Sequence, residues 1–123
     1  MKIKISIADI TLFAELNNSK TAKLIEHNLP IEAQAELWGK EVYFYIKPKM
    51  GLEAEYSHEV VEEGDLGYWP QGPCFCLFFG LTPNSRGGKI MPASSVNVFG
   101  KIIGDFNVLN KAKDKDKIRI EKA

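Results

Sequence analysis

The stretch Gly64-Asp65-Leu66-Gly67-Tyr68-Trp69-Pro70-Gln71-Gly72-Pro73-Cys74-Phe75-Cys76-Leu77-Phe78-Phe79-Gly80 decides the fold. Asp65–Trp69 reads as a strand, and Pro70-Gln71-Gly72-Pro73 as the turn that ends it. Cys74–Gly80 is apolar at every position except its terminal glycine, so both faces must be covered, as for a central strand. The chain is therefore organised around a hairpin whose second strand lies inside a sheet.

The flanking sequence continues in strand-like units. Ile3, Ile5 and Ile7 alternate with Lys2, Lys4 and Ser6, then Ala8-Asp9 turns the chain into a second strand over Ile10–Leu16. A helix is expected over Ser19–His27, with Ser19 or Asn18 as N-cap and Pro30 as the stop. Ile31–Leu37 alternates with a period of two, Gly39-Lys40 closes a two-residue turn, and Val42, Phe44 and Ile46 form the core face of the returning strand. Its other face carries Glu41, Tyr43 and Tyr45. A loop over Pro48–Glu63 holds a short strand near Val60-Val61. Thr82–Ser95 is a long polar connection, Val96–Ile103 a strand, and Asp105 caps a short helical turn that buries Phe106 and Leu109. Ile118 and Ile120 alternate with charged residues in a closing strand. The tally is a mainly β domain of about eight strands with one main helix, and strand pairs near both termini point to a closed barrel without free edges.

Size and charge narrow the classes. The 123 residues make one domain, 1–123, with an ordinary core. Lys+Arg and Asp+Glu are 16 each, so no basic excess marks a nucleic-acid binder. No apolar run approaches the roughly 20 residues of a membrane helix. The N-terminus lacks a signal-peptide core, and the only cysteines, Cys74 and Cys76, are spaced i, i+2, which suits a reduced, cytoplasmic protein.

The chain resembles a family on specific residues. Glu59–Asp65, Gly67–Pro70, Cys76–Gly80, Thr82-Pro83 and Ser85 follow the pattern of small, stand-alone cyclophilin-like proteins of archaea and bacteria. The likeness extends through Lys89-Ile90, Pro92–Ser94 and Val96–Ile102, where Val96-Asn97-Val98-Phe99-Gly100-Lys101-Ile102 looks like the cyclophilin "V-F-G-K-V" strand. The resemblance implies a closed eight-stranded barrel and brings no established activity with it. Cyclophilins polarise the prolyl amide with an arginine in an "F-H-R" strand. The matching strand here, Val42–Ile46, has none. Trp69-Pro70 stands where their pocket uses an alanine-asparagine pair, and the bulk of Trp69 would intrude on the groove. Their later pocket tryptophan and histidine have no counterpart between Thr82 and Val98. Ordinary prolyl isomerase chemistry is thus not expected. Arg86 is the one nearby arginine that could reach the groove from its loop.

Other candidate chemistry has plainer readings. Cys74 and Cys76 lack the further ligands of a metal site and read as packed strand residues. His58 among Glu53, Glu55, Glu59, Glu62 and Glu63 reads as a solvated charge run, and His27 as a helix-end residue. Ser94-Ser95 with Lys89 lacks a nucleophile turn, and Asn84–Lys89 lacks phosphate-loop spacing. No metal or other cofactor is expected. The surplus aromatics are the lead: Tyr43, Tyr45, Tyr68, Trp69 and Phe79, with Arg86, are the candidate groove residues for a peptide or small molecule. The alternatives are a prolyl isomerase that uses Arg86, an amide-processing enzyme like larger barrels of this fold, or a self-associating structural protein.

Overall fold

The computed structural model describes all residues, Met1–Ala123. In chain order the elements are β1 (Lys2–Ile7), β2 (Ile10–Leu16), α1 (Lys20–His27), β3 (Ile31–Gln34), β4 (Glu36–Leu37), β5 (Glu41–Tyr45), β6 (Ser57–His58), β7 (Asp65–Trp69), β8 (Cys74–Phe78), β9 (Val96–Ile103), a 3-10 helix (Phe106–Lys111) and β10 (Lys117–Lys122). They form one sheet in the order β3-β10-β1-β2-β9-β7-β8-β5-β4, with β6 on the flank of β9. All the strand pairings are antiparallel.

The expected closed eight-stranded barrel is corrected in two respects: the sheet has ten strands, and its hydrogen bonds do not close into a ring. Ile31–Leu37 is not one strand. At Ala35 the chain changes partner, its N–H donating to Asp116 O (2.8 Å) and its carbonyl accepting from Lys115 N (2.7 Å). Residues before Ala35 pair with β10, and those after it with β5. The two ends of the sheet are thus successive pieces of one extended segment, joined covalently. The short strand in the Pro48–Glu63 region is Ser57–His58; Val61 makes only a bridge to Ile90.

Alternation builds the core. Ile3, Ile5, Ile7, Leu12, Ala14, Ile118 and Ile120 are buried from the first hairpin and the last strand. Phe44, Phe75 and Phe99 occupy the centre. Phe44 stacks on Phe75 at 4.9 Å between centroids, and Phe99 meets Phe75 edge-on at 5.0 Å. Ser19 caps α1 by accepting from Ala22 N at 3.0 Å, and the helix buries Ala22 and Ile25. Asp105 caps the 3-10 helix through Asn107 N, and Leu109 is buried beneath it.

One buried polar centre ties the long loop before β6 to the sheet. Asn97 on β9 is fully buried. Its Oδ1 accepts from Glu53 N (2.8 Å), and its Nδ2 donates to Thr21 Oγ1 (3.0 Å) and to Gly51 O (3.0 Å). Glu53 in turn accepts from the N–H groups of Lys20 and Thr21, so a loop carboxylate serves the exposed donors at the start of α1. Burial pushes the Glu53 carboxyl up, but the hydrogen bonds from Thr21 and Lys20 outweigh it and hold the group below its usual range. Replacing Asn97 by alanine would strand the Glu53 N–H and the Gly51 carbonyl. Asn97→Ala is therefore expected to lower unfolding free energy by about 3 kcal/mol. Amide exchange over Gly51–Glu53 should accelerate more than exchange in β1. Urea unfolding and hydrogen exchange check both; a loss below about 1 kcal/mol would show that water replaces the side chain.

Candidate functional site

The candidate site is a cleft of about 360 Å³ on the outer face of β5, β7 and β8. It follows from the register. Tyr45 lies opposite Cys74, which lies opposite Trp69; Tyr43 lies opposite Cys76, which lies opposite Gly67. On this face the middle strand presents small thiols, while β5 raises two tyrosines on one side and β7 a tryptophan on the other. Small residues between large ones leave a trough. Pro92 and Ala93 from the Thr82–Ser95 connection and Trp38 from the turn before β5 complete its walls.

Local structure holds these walls. The Trp38–Glu41 turn closes with hydrogen bonds in both directions, Trp38 N to Glu41 O (2.9 Å) and Glu41 N to Trp38 O (3.2 Å). Gly39 takes φ +60 there, and a Cβ on it would meet Pro83 Cδ at 2.8 Å. Gly72 lets the Trp69 indole lie across the β7–β8 turn: a Cβ at Gly72 would meet Trp69 Cε3 at 2.5 Å. The indole Nε1 donates to Ser94 Oγ at 2.6 Å and pins the loop wall. The loop is braced internally: Ser85 Oγ accepts from Thr82 N (2.9 Å) and Met91 N (3.1 Å), and Asn84 Nδ2 donates to Pro92 O (2.8 Å).

Glu41 also lines the cleft, on the outer face that alternation gives it beside Tyr43, yet the residue is only 6% exposed, and its Oε1 has no hydrogen-bond partner. Burial pushes its carboxyl up to about 7, with the Cys76 thiol acting weakly in the other direction. No lysine, arginine or histidine lines the cleft, so this charge is uncompensated. The thiols are not poised for reaction. Burial, together with Glu41, raises Cys74 to about 11 and holds Cys76 well above its usual value, so neither forms the reactive thiolate at neutral pH.

Of the residues singled out in the sequence, Tyr43, Tyr45 and Trp69 line this cleft together. Tyr68, Phe79 and Arg86 do not. Tyr68 points inward; its hydroxyl donates to Pro48 O (3.0 Å) and accepts from Met50 N (3.2 Å). Phe79 is buried in the main core, and Arg86 is exposed at the loop tip, where it bridges to Lys89. Trp38, Glu41, Cys74, Cys76, Pro92 and Ala93 were not singled out as groove residues, although the period-two pattern already put Glu41 beside Tyr43. Ser94 is occupied by the Trp69 indole. No group of three or more His, Cys, Asp or Glu side chains is arranged to hold a metal ion.

The burial of Glu41 makes stability depend on pH in a defined sense. The unfolded carboxyl titrates near 4.5 and the folded one near 7. Between these values the folded chain holds the extra proton, so stability is greatest below about 4.5 and falls as pH rises through about 7. The whole shift corresponds to roughly 3 kcal/mol. Glu41→Gln is expected to flatten the decline between pH 5 and 8 and to gain about 2 kcal/mol over the parent at pH 8. Denaturant unfolding across that range checks it. The comparison between the two chains removes the contribution of Asp65, which burial also raises. Parallel curves would mean that Glu41 is solvated.

The family model described as cyclophilin-like matches residues 1–121. A solution structure of a hypothetical protein from Archaeoglobus fulgidus is similar, with a TM-score of 0.83 and 38% identity, covering 100% of this chain and 95% of that one. No curated protein matches the chain. A match over almost every residue, with a sheet of the same shape in a relative at this identity, leaves one assignment: the chain belongs to the cyclophilin-like family.

Proposed function

We propose that the protein is a binding member of this family, one that holds a small molecule or a short peptide segment in the outer cleft beside Trp69 and does not perform ordinary prolyl isomerisation. The observation that carries this is the trough itself: an aromatic-walled cleft with braced edges and a single unsatisfied polar group, Glu41, in its lining. Largely preformed apolar clefts with few polar groups are the usual form of ligand sites. The same face carries the departures from a cyclophilin groove. Val42–Ile46 offers no arginine, Arg86 lies outside the cleft, and the Trp69 indole is fixed across the turn.

A second reading, an amide-processing enzyme, draws on one feature. A carboxyl that titrates near 7 beside a cleft is suited to general acid–base work. A panel of chromogenic amides tests it: turnover abolished by Glu41→Gln supports the enzyme, and no turnover by the parent chain removes it.

The binding reading makes its own expectation. In ¹H–¹⁵N spectra, a panel of small fragments and short proline peptides should move the Trp69 indole signal together with the amides of Tyr43, Cys74 and Cys76. Trp69→Ala should weaken the fragments that bind by about tenfold or more, the range for losing a buried aromatic anchor. In a proline-peptide isomerisation assay, the parent chain and Arg86→Ala should both run at the background rate. Fragments that move only signals outside this face would overturn the assignment of the cleft, and a parent rate that falls with Arg86→Ala would restore the isomerase.

A further inference from the structure

Glu41 narrows the ligand class. It is the only charged side chain of the cleft, its Oε1 is buried without a donor, and no cation of the protein faces it. Lys40, its chain neighbour, lays its side chain against Gly80 instead and lines a different cleft. The titratable groups that face Glu41 are the thiols of Cys74 and Cys76 on β8 and the phenol of Tyr43 on its own strand, and burial pushes all three upward, so all stay neutral up to pH 8. A buried carboxylate oxygen with no donor costs the full desolvation of that atom unless something supplies one, and the Cys76 thiol beside Glu41 is only a weak donor. The cleft that Glu41 lines is walled by the rings of Tyr43, Tyr45, Trp38 and Trp69. Their electron-rich faces attract cations, indole most strongly. A carboxylate acceptor among aromatic walls complements one kind of group: a cationic head with N–H donors and an apolar shell.

We infer that the cleft takes a protonated organic amine, seated with an N–H on Glu41 and its carbon skeleton against Trp69 and the two tyrosines. This rests on the binding reading above and specifies its ligand. The chemistry covers a free alkylamine and a lysine side chain alike. Acidic ligands are disfavoured, because they would set a second anion against the first.

The test uses the full chain at pH 8 and low salt, followed by ¹H–¹⁵N spectra. The probes are n-butylammonium, 1-pentanol as a neutral alcohol one carbon longer, tetramethylammonium, butyrate, and N-acetyl-lysine methylamide. Butylammonium should shift the Trp69 indole signal and bind at least tenfold tighter than pentanol. Tetramethylammonium, which has no N–H, should bind more weakly than butylammonium, and butyrate should not bind. Lysine amide matching butylammonium would favour a side-chain ligand, and butylammonium exceeding it a free amine; both support the inference. Glu41→Gln should erase the preference for the amine while keeping pentanol. Tyr45→Ala, at a residue 65% exposed and so without risk to folding, should cost the amine several-fold. Pentanol binding as well as butylammonium, tetramethylammonium matching it, or Glu41→Gln retaining the preference would overturn the inference and leave the binding reading standing. No probe moving any signal of the cleft would overturn both.

Discussion

The parity of β8 is the constraint on which the rest of the molecule depends. Phe75 and Leu77 point inward, where Phe75 sits between Phe44 and Phe99. Cys74, Cys76 and Phe78 must then point outward. A slip of one residue would drive the thiols into the centre and the phenylalanine onto the outer face, so the register is strongly specified. The same choice that packs the core thereby sets the small thiols of Cys74 and Cys76 on the outer face. The trough is a by-product of a well-packed core: its floor is low because β8 spends its bulk on the other side.

Both faces of β8 are buried, which is unusual for a strand in an antiparallel sheet and needs an outer cover. The Thr82–Ser95 connection supplies it, with Ile90 packing on a second apolar cluster that includes Cys74, Cys76, Phe78 and Val96. That cover reaches Trp69 through Ser94 but leaves Tyr45 exposed, and Pro92 and Ala93 near its end become a wall of the cleft. Its internal hydrogen bonds, donated by Thr82 N and Met91 N to Ser85 Oγ and by Asn84 Nδ2 to Pro92 O, brace the position of Pro92. Preformed walls reduce the ordering cost of binding. Glu41 opposes this economy, since its burial destabilises the folded state at neutral pH. Groups that cost stability and contact an open cleft are characteristic of functional sites.

Most of the architecture is legible in the sequence, because alternation was clean where strands face one core. Ile3, Ile5 and Ile7 read correctly, as did Val42, Phe44 and Ile46, and Val96–Ile103 matches to the residue. Alternation also accounts for Tyr68 and Phe79: with Trp69 outward its neighbour Tyr68 must be inward, and with Phe78 outward Phe79 must be inward. Other features have no local signal. Ala35 changes partner because β10 and β5 lie on either side of it, a tertiary fact that the period of Ile31–Leu37 cannot express. The burial of Glu41 has no local signal either, because alternation distinguishes two faces but does not tell which parts of the outer one are covered.

The sign of the polar group separates this cleft from the one the cyclophilin resemblance implies. An arginine polarises a prolyl amide by donating to it, and it complements a carbonyl that gathers negative charge as the bond twists. The outer cleft here offers an acceptor, Glu41, and no arginine. A carboxylate set against a substrate carbonyl would raise the energy of such a twisted state. Nor does Arg86 compensate: it is absent from the lining of the cleft. On the binding reading proposed above, a cleft whose polar group is an acceptor favours ligands that donate hydrogen bonds over ligands that accept them. On this fold the sheet supplies the place, and the identity of a few outward residues on β5 and β7 sets the chemistry.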